Sequence, residues 1–338
     1  MVLEKVFIAG GAGFIGSHFV ERLLSMPQTR RVTVFDNFSS GKLWHLENSI
    51  EDQDQHKRLT IVEGDIKDLS LLVKSMEGHD TVIHLASNPD IARAALEPTI
   101  DFDAGTLLTQ MIVEAMRRTA AKNILYASGS GVYGDVGLLE AVENHGPLIP
   151  ISTYGASKLA GEGLIAAYGH MFGLRGLAFR FGNVVGPRQT HGVGLDFIRK
   201  LRANPTALEI LGDGSQSKSY VYISDIIDAV LLACGKSDAN AHFEAFNVAT
   251  GDYITVKEIA AIAIEMVVGK TNKVELSFTG GDRGWKGDIP IVRLNTDKIR
   301  GLGWSCAHNC RQSIERSIEA MLADPNLKTP VAQPQPRE

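Results

Sequence analysis

Three cysteines, Cys234, Cys306 and Cys310, are all that this 338-residue chain has. An odd number at wide spacing makes no disulfide framework. Cys306 and Cys310 stand four apart, but no Cys/His pair completes a zinc site, so unbonded thiols and no metal centre are expected. Long apolar runs are missing as well, and no stretch reaches the roughly 18 residues of a membrane-spanning helix. Positive charge is not in excess: the net charge is -5 and the pI about 6.1. That argues against nucleic acid as the main partner, while leaving room for a local basic pocket around a phosphate. No basic region, apolar core and cleavage site open the chain, which runs straight into Lys5-Val-Phe-Ile-Ala9. A cytoplasmic protein is expected, without membrane or nucleic-acid partners.

What is present is ordinary for a globular protein, with 44% hydrophobic and 22% charged residues. The length suits one large domain or two modest ones with a core that needs no cross-links. Val6–Ala9, Arg31–Phe35, Leu59–Val62, Thr81–Leu85, Asn123–Ala127 and Leu177–Phe181 read as strands. Between them, Gly16–Ser25, Gly105–Thr119 and Ser157–Met171 carry apolar residues at helical spacing. Regular alternation of this kind predicts an α/β protein with a parallel sheet covered on both faces and right-handed crossovers. After about residue 182 the rhythm loosens, with helices expected near Ile223–Cys234, Val256–Val267 and Arg311–Leu322. The expected division is a first domain at 1–182, a smaller lobe at 183–323 and a frayed tail at 324–338, where four prolines fall.

Gly10-Gly-Ala-Gly13-Phe14-Ile15-Gly16 follows the first strand and opens a helix. Small residues there allow a tight turn and let backbone amides approach a pyrophosphate, which the helix N-terminus also favours. The second strand ends at Asp36, 20 residues after Gly16. A carboxylate at that distance accepts hydrogen bonds from the adenosine ribose and repels a 2′-phosphate, so a dinucleotide is expected, NAD rather than NADP.

The spacing Gly10-x-x-Gly13-x-x-Gly16 resembles the extended short-chain dehydrogenase/reductase family, and the resemblance runs nearly the length of the chain. Closest in pattern are its NAD-dependent epimerase/dehydratases, especially UDP-glucose 4-epimerase-like enzymes. The resemblance implies a Rossmann-type doubly wound parallel sheet with a smaller C-terminal α/β substrate-binding lobe. It assigns Asp36-Asn37-Phe-Ser39-Ser40-Gly41-Lys42 to the ribose, Gly64-Asp65-Ile66 to the adenine edge, and His84-Leu85-Ala86-Ser87 to the strand end beneath the nicotinamide. Phe14, Ile15 and Phe181 are counted with the cofactor site on the same ground.

In Thr153-Tyr154-Gly-Ala-Ser-Lys158 the tyrosine and lysine are four apart at a helix start, so both project on one face. A phenol is a poor base at neutral pH, and a neighbouring ammonium is expected to lower its pKa. Tyr154 could then take a hydroxyl proton while hydride leaves the same carbon. Lys158 would also hold the nicotinamide ribose. The family adds a Ser or Thr four residues ahead of the Tyr of a Val-Tyr-Gly turn. This chain reads Ala127-Ser128-Gly129-Ser130-Gly131-Val132-Tyr133-Gly134, with glycine at that place and Ser128 and Ser130 on either side as candidates. Family dehydratases carry an Asp-Glu pair after that position and decarboxylases a Glu. Here Ser130 and Gly131 stand there, and no cysteine lies near. Oxidation and reduction at one carbon, C4 epimerisation, is therefore the expected reaction. A releasing dehydrogenase or ketoreductase, a dehydratase, and a non-catalytic cofactor-bound protein are the alternatives.

On the substrate side, Arg180-Phe181-Gly-Asn183-Val-Val-Gly-Pro-Arg188 resembles the family's entry to its nucleotide-sugar site, with Asn183 toward a phosphate and Val193 in a loop against the nucleoside. His191 reads as a loop residue. Lys218 stands where an Arg is commoner, in Gln216-Ser-Lys218-Ser-Tyr220-Val-Tyr222, and can still meet phosphate as a point charge. Arg283 or Lys286 is the candidate for the pyrophosphate in Asp282-Arg283-Gly-Trp285-Lys286-Gly-Asp288. Phe102 replaces a frequent Asn before the Gly105 helix. The implied partners are a nucleotide sugar, a UDP-sugar first, and a second copy of the chain through the helices near Gly105 and Tyr154.

Overall fold

A computed structural model describes residues 1–90 and 92–327. Its centre is a seven-stranded sheet. The strands are β1 (Lys5–Ala9), β2 (Arg31–Asp36), β3 (Leu59–Glu63), β4 (Thr81–His84), β5 (Asn123–Gly129), β6 (Arg175–Phe181) and β7 (Phe243–Val248). Their order is 7-6-5-4-1-2-3, and every pairing is parallel. The chain winds outward from β1 to β3 and then crosses back to lay β4 beside β1. That reversal opens a crevice at the carboxyl ends of β1 and β4, where ligands of doubly wound sheets bind.

Strand residues alternate between two cores, as a sheet covered on both faces requires. Val6 and Ile8 of β1 pack with Phe19 and Leu23 of α1 (Phe14–Leu24) and with Ile226 and Val230 of a helix at Ile223–Lys236. Phe7 and Ala9 pack on the opposite side with Leu72 and Met76 of α2 (Leu69–Met76) and with Ile112 and Met116 of α3 (Leu107–Arg118). That side also receives Ile165 of α4 (Thr153–Phe172). The helix α2 carries only a short apolar stripe and was not foreseen from the pattern.

A third core lies outside the sheet. It joins Leu195 and Ile198 of α5 (Val193–Ala203), Ile259 and Ala263 of α7 (Val256–Val267) and Ile314 and Ile318 of α8 (Cys310–Ala323), α6 being the helix at Ile223–Lys236. Two short parallel strands, Ala207–Ile210 and Glu275–Phe278, complete this lobe. Asn183–Val185 pairs with Tyr220–Tyr222, and Arg293–Leu294 pairs with Glu140–Ala141. Val193, expected in a loop, is the first residue of α5 behind Gly192, whose φ of 104 bends the chain into the helix.

The second half of the chain does not stay apart from the first. β7 adds to β6 over six residues, from Phe243↔Gly176 to Val248↔Phe181, and α6 packs on α1. The boundary at residue 182 thus divides the sequence but not the sheet. Of the tail, Pro325–Leu327 forms a short turn, and residues 328–338 lie outside the described part. Among the described residues no helix is long and apolar enough to cross a membrane. All three cysteines are free thiols.

Phe246 is 1% exposed and stacks on Phe179 with ring centres 5.9 Å apart. Phe246→Ala is expected to cost roughly 3–5 kcal/mol of unfolding free energy. A single urea transition with a lowered midpoint would show it. An unchanged midpoint would mean that β7 is not integral to the sheet.

Candidate active site

The turn from β1 into α1 is shaped by two glycines. Gly10 has φ 82, and a Cβ there would sit 2.7 Å from the Ala86 backbone nitrogen. A Cβ on Gly16 would lie 2.3 Å from the Gly10 carbonyl. Larger residues would push the turn open, so these positions hold the backbone close to the strand ends. Gly13 caps α1 without any side-chain bond, which leaves the first amides of the helix free for an anion. Phe14 is buried and Ile15 half-buried just inside the helix.

Asp36 ends β2 with its carboxylate over this turn, 8% exposed. It accepts from the amides of Ala12 and Phe38, both at 2.9 Å. Burial raises its pKa while those two amides oppose the rise. Gly41 folds back so closely that a Cβ would lie 2.8 Å from the carboxylate. Asn37, Ser39 and Ser40 are exposed beside it, with Ser39 Oγ donating to Asn37 at 2.7 Å. Asp65 is exposed after β3, Ile66 is buried, and Leu85, Ala86 and Ser87 continue from β4 half-buried. Phe181 closes β6 and stacks on Phe179 at 6.1 Å. These residues fit NAD: a glycine cradle that a side chain would fill, an uncapped helix N-terminus and a carboxylate at the adjoining strand end.

Tyr154 and Lys158 occupy the first two turns of α4, whose N-cap Ser152 accepts from the Gly155 amide. Lys158 is 3% exposed and donates to the Ala127 carbonyl at 2.8 Å. Its ammonium lies 5.4 Å from the Tyr154 ring centre and 5.3 Å from that of Tyr126. Burial lowers Lys158 to about 8, with Asp101 opposing. Tyr154 departs from the expectation of a lowered phenol. Burial, then the Asp101 charge, pushes it up to about 12. Charge pairing alone suggests the wrong direction, because loss of water around the phenolate outweighs it here.

The two serine candidates separate. Ser128 is buried and donates to Glu162 of α4 at 2.5 Å, so its hydroxyl proton is already engaged. Glu162 is paired with Arg180 at 2.7 Å, both side chains 5% exposed, and Arg180 also donates to the Tyr133 hydroxyl at 2.8 Å. Gly129 alternates to the opposite face, where a Cβ would meet nothing within 4 Å. Ser130 is half-buried at the head of the turn Ser130–Tyr133. Gly155 brings α4 against this turn, since a Cβ there would lie 2.4 Å from the Gly131 carbonyl.

Of the residues expected on the substrate side, Lys218, Arg283 and Asp288 come together in one cluster whose cations are matched by carboxylates. Lys218 pairs with Asp288 at 2.6 Å and lies 5.3 Å from the Trp285 ring centre. Arg283 pairs with Asp135 at 2.5 Å, and Asp288 also accepts from the Gly284 amide. Lys286 is exposed. Asn183 stands opposite Tyr220 across the short strand pair, with Val193 half-buried nearby in sequence at the start of α5. His191 is exposed.

Two carboxylates escaped the sequence reading. Asp135 follows the Val-Tyr-Gly turn and had no sequence partner to betray it. Asp101, 1% exposed, sits beside the noted Phe102, which is itself 58% exposed. The turn Phe102–Thr106 is a π-helix, so ordinary helical spacing assigns its faces wrongly. Asp101 accepts from Asn88 Nδ2 at 3.0 Å and from Thr153 Oγ1 at 2.7 Å.

Residues 6–249 match the NAD dependent epimerase/dehydratase family. The chain belongs to that family. Its cofactor is NAD. A putative UDP-glucose 4-epimerase of Methanocaldococcus jannaschii is 32% identical over 94% of this chain and 98% of its own. A crystal structure of a UDP-galactose 4-epimerase superposes with a TM-score of 0.82 at 35% identity, covering 94% of this chain and 98% of that one. A dTDP-glucose 4,6-dehydratase of Actinoplanes is 31% identical over 88% of this chain and 91% of its own. Nucleotide-sugar epimerases and dehydratases of the epimerase/dehydratase family are thus what the chain is similar to throughout.

Asp36→Asn removes the charge at the end of β2 while keeping an acceptor for Ala12 or Phe38. The variant is expected to narrow the preference for NAD over NADP by about tenfold, roughly 1.4 kcal/mol. Titrating both dinucleotides into the apoprotein measures it. An unchanged ratio would remove Asp36 from cofactor selection.

Proposed function

We propose that this protein is an NAD-dependent nucleotide-sugar 4-epimerase acting on UDP-hexoses, a cytoplasmic homodimer formed through α3 and α4. The single observation that carries the reading is Tyr154 beside buried Lys158, facing a strand end that offers a hydroxyl but no carboxylate or thiol. The similarity to UDP-sugar 4-epimerases across the chain supports it. The similar dehydratase favours a second reading, water loss from the sugar, which the absence of an acid at Ser130 and Gly131 opposes.

In the proposed reaction the turn of Gly10–Gly16 and Asp36 would hold the dinucleotide, together with Asn37, Ser39, Ser40, Gly41, Asp65, Ile66, Leu85, Ala86, Ser87 and Phe181. Residues 183–323 supply most contacts to the nucleotide sugar: Asn183, Val193, Lys218, Tyr220, Arg283 and Asp288. When bound, oxidised NAD supplies the hydride acceptor for C4 and the positive charge that a phenol this buried needs in order to lose its proton. Tyr154 takes the O4 proton, Ser130 donates a hydrogen bond to the same oxygen, and Lys158 holds the ribose hydroxyls. A Cβ at Gly129 would meet nothing within 4 Å, which would leave room for the 4-keto sugar to present its other face, and Tyr154 would return the proton to O4.

Incubation with UDP-glucose or UDP-galactose, followed by proton NMR, is expected to show interconversion with no net NADH. Formation of a 4-keto-6-deoxy sugar would replace this reading by the dehydratase one, and steady NADH release by a dehydrogenase. Tyr154→Phe is expected to lower kcat by about 10²–10⁴ with NAD still bound. Ser130→Ala should lower kcat by about 10², and adding Gly129→Ser should recover part of that loss. A silent Ser130→Ala would return the question of the third hydroxyl to the substrate.

A further inference from the structure

Asp101 takes no part in the proposed proton transfer, yet it is among the most deeply placed carboxylates in the site. Its two hydrogen-bond donors are neutral: Asn88, just beyond β4, and Thr153, the residue before Tyr154. Asn88 is itself fixed, donating to the Asp90 carbonyl at 2.8 Å and accepting from the Asp90 amide at 3.0 Å. Burying a carboxylate without a contacting cation is costly, so such a group persists where its charge is used. Through Thr153 it is held at the start of the helix that carries Tyr154 and Lys158, and its charge acts on both.

We propose that Asp101 is a positioning residue: it ties the first turn of α4 to the end of β4 and supplies the counter-charge for the Lys158 ammonium. Only the link to turnover rests on the epimerase reading; the electrostatic role stands on the chain itself. The other groups facing the pair do not supply that charge. His84 of β4 is fully buried, held neutral with its pKa near 3, and its Nε2 meets Thr109 at 3.1 Å. Tyr126 of β5 is a buried phenol pushed upward. Glu162, one turn further along α4, is neutralised by Arg180 of β6. Asp101 therefore opposes the loss of the Lys158 proton that burial promotes, and it raises Tyr154 at the same time.

The sign of the test follows. Asp101→Asn keeps the size and can keep both hydrogen bonds but removes the charge. Lys158 and Tyr154 should then both titrate lower. An NMR titration of labelled lysine in the NAD-bound enzyme, with Lys158 assigned by loss of its signal in Lys158→Met, should show a downward shift of about one pH unit. Both limbs of the pH–rate profile for UDP-glucose should move the same way. Thr153→Val keeps the charge and cuts one tie, so it should lower kcat without moving the profile. A Lys158 titration unmoved by Asp101→Asn, or a profile displaced by Thr153→Val, overturns the proposal. If Asp101→Asn does not fold, the Thr153→Val profile alone decides. A shifted Lys158 in an enzyme that turns over no nucleotide sugar would instead sink the epimerase reading and leave Asp101 in its role.

Discussion

The ion pair between Glu162 and Arg180 is what the site stands on. One partner belongs to α4, the helix that carries Tyr154 and Lys158, and the other to β6. Around it, Ser128 of β5 donates to Glu162, and Arg180 reaches the Tyr133 hydroxyl, which in turn donates to Asn247 of β7 at 2.7 Å. Three strands and the helix are thereby fixed by one polar knot under the chemistry. A buried pair adds little net stability over an apolar filling, but removing one partner would strand the other, at roughly 3–5 kcal/mol. Its use here is placement: it sets the height and rotation of α4 over the strand ends, and a shift of a fraction of an ångström there would spoil the approach proposed for Tyr154 to its proton.

Much of this was legible in the residues. The first six strands are short apolar runs, most of them followed closely by glycine or ended by aspartate; the structure lengthens five of them by one or two residues at one end and stops β4 one residue earlier, at His84. The Tyr154/Lys158 pair was legible because helical spacing alone puts the two on one face. β7 was hidden because Glu244 and Asn247 interrupt its apolar run. Asn247 is nonetheless fully buried, with its amide donating to the Ala141 and Asn295 carbonyls, so the strand's polarity is satisfied by partners far away in sequence. The choice between Ser128 and Ser130 was hidden for a related reason. Side chains alternate along a strand, and nothing local says which parity faces the crevice. The rise of Tyr154 is not legible in the Tyr/Lys spacing, because it comes from loss of solvent around the phenol, which only the fold reveals.

The cluster of Lys218, Arg283 and Asp288 shows the same division. Sequence named Lys218, Arg283 and Asp288, and the fold brings them into one patch. What it adds is that the cations are already engaged, Lys218 by Asp288 and Arg283 by Asp135. The Asp135 pair spans two regions far apart in the chain, the loop behind β5 and the segment before Arg293. Glu140–Ala141 and Arg293–Leu294 join the same two regions by backbone pairing. An incoming anion would meet a surface whose charges are held in place, with little side-chain entropy left to lose on binding.

The late return of β7 has a consequence for the order in which the molecule is made. A nascent chain that has just emerged through Phe181 holds six parallel strands with the outer rim of β6 unpaired, and that rim runs through apolar residues such as Leu177 and Phe179. An open, apolar strand edge invites pairing with other chains. It stays open until some sixty more residues, including α5 and α6, have left the ribosome. During that interval the unfinished protein depends on chaperones or on speed, and fusions or truncations that end before Val248 would leave it in that exposed condition permanently.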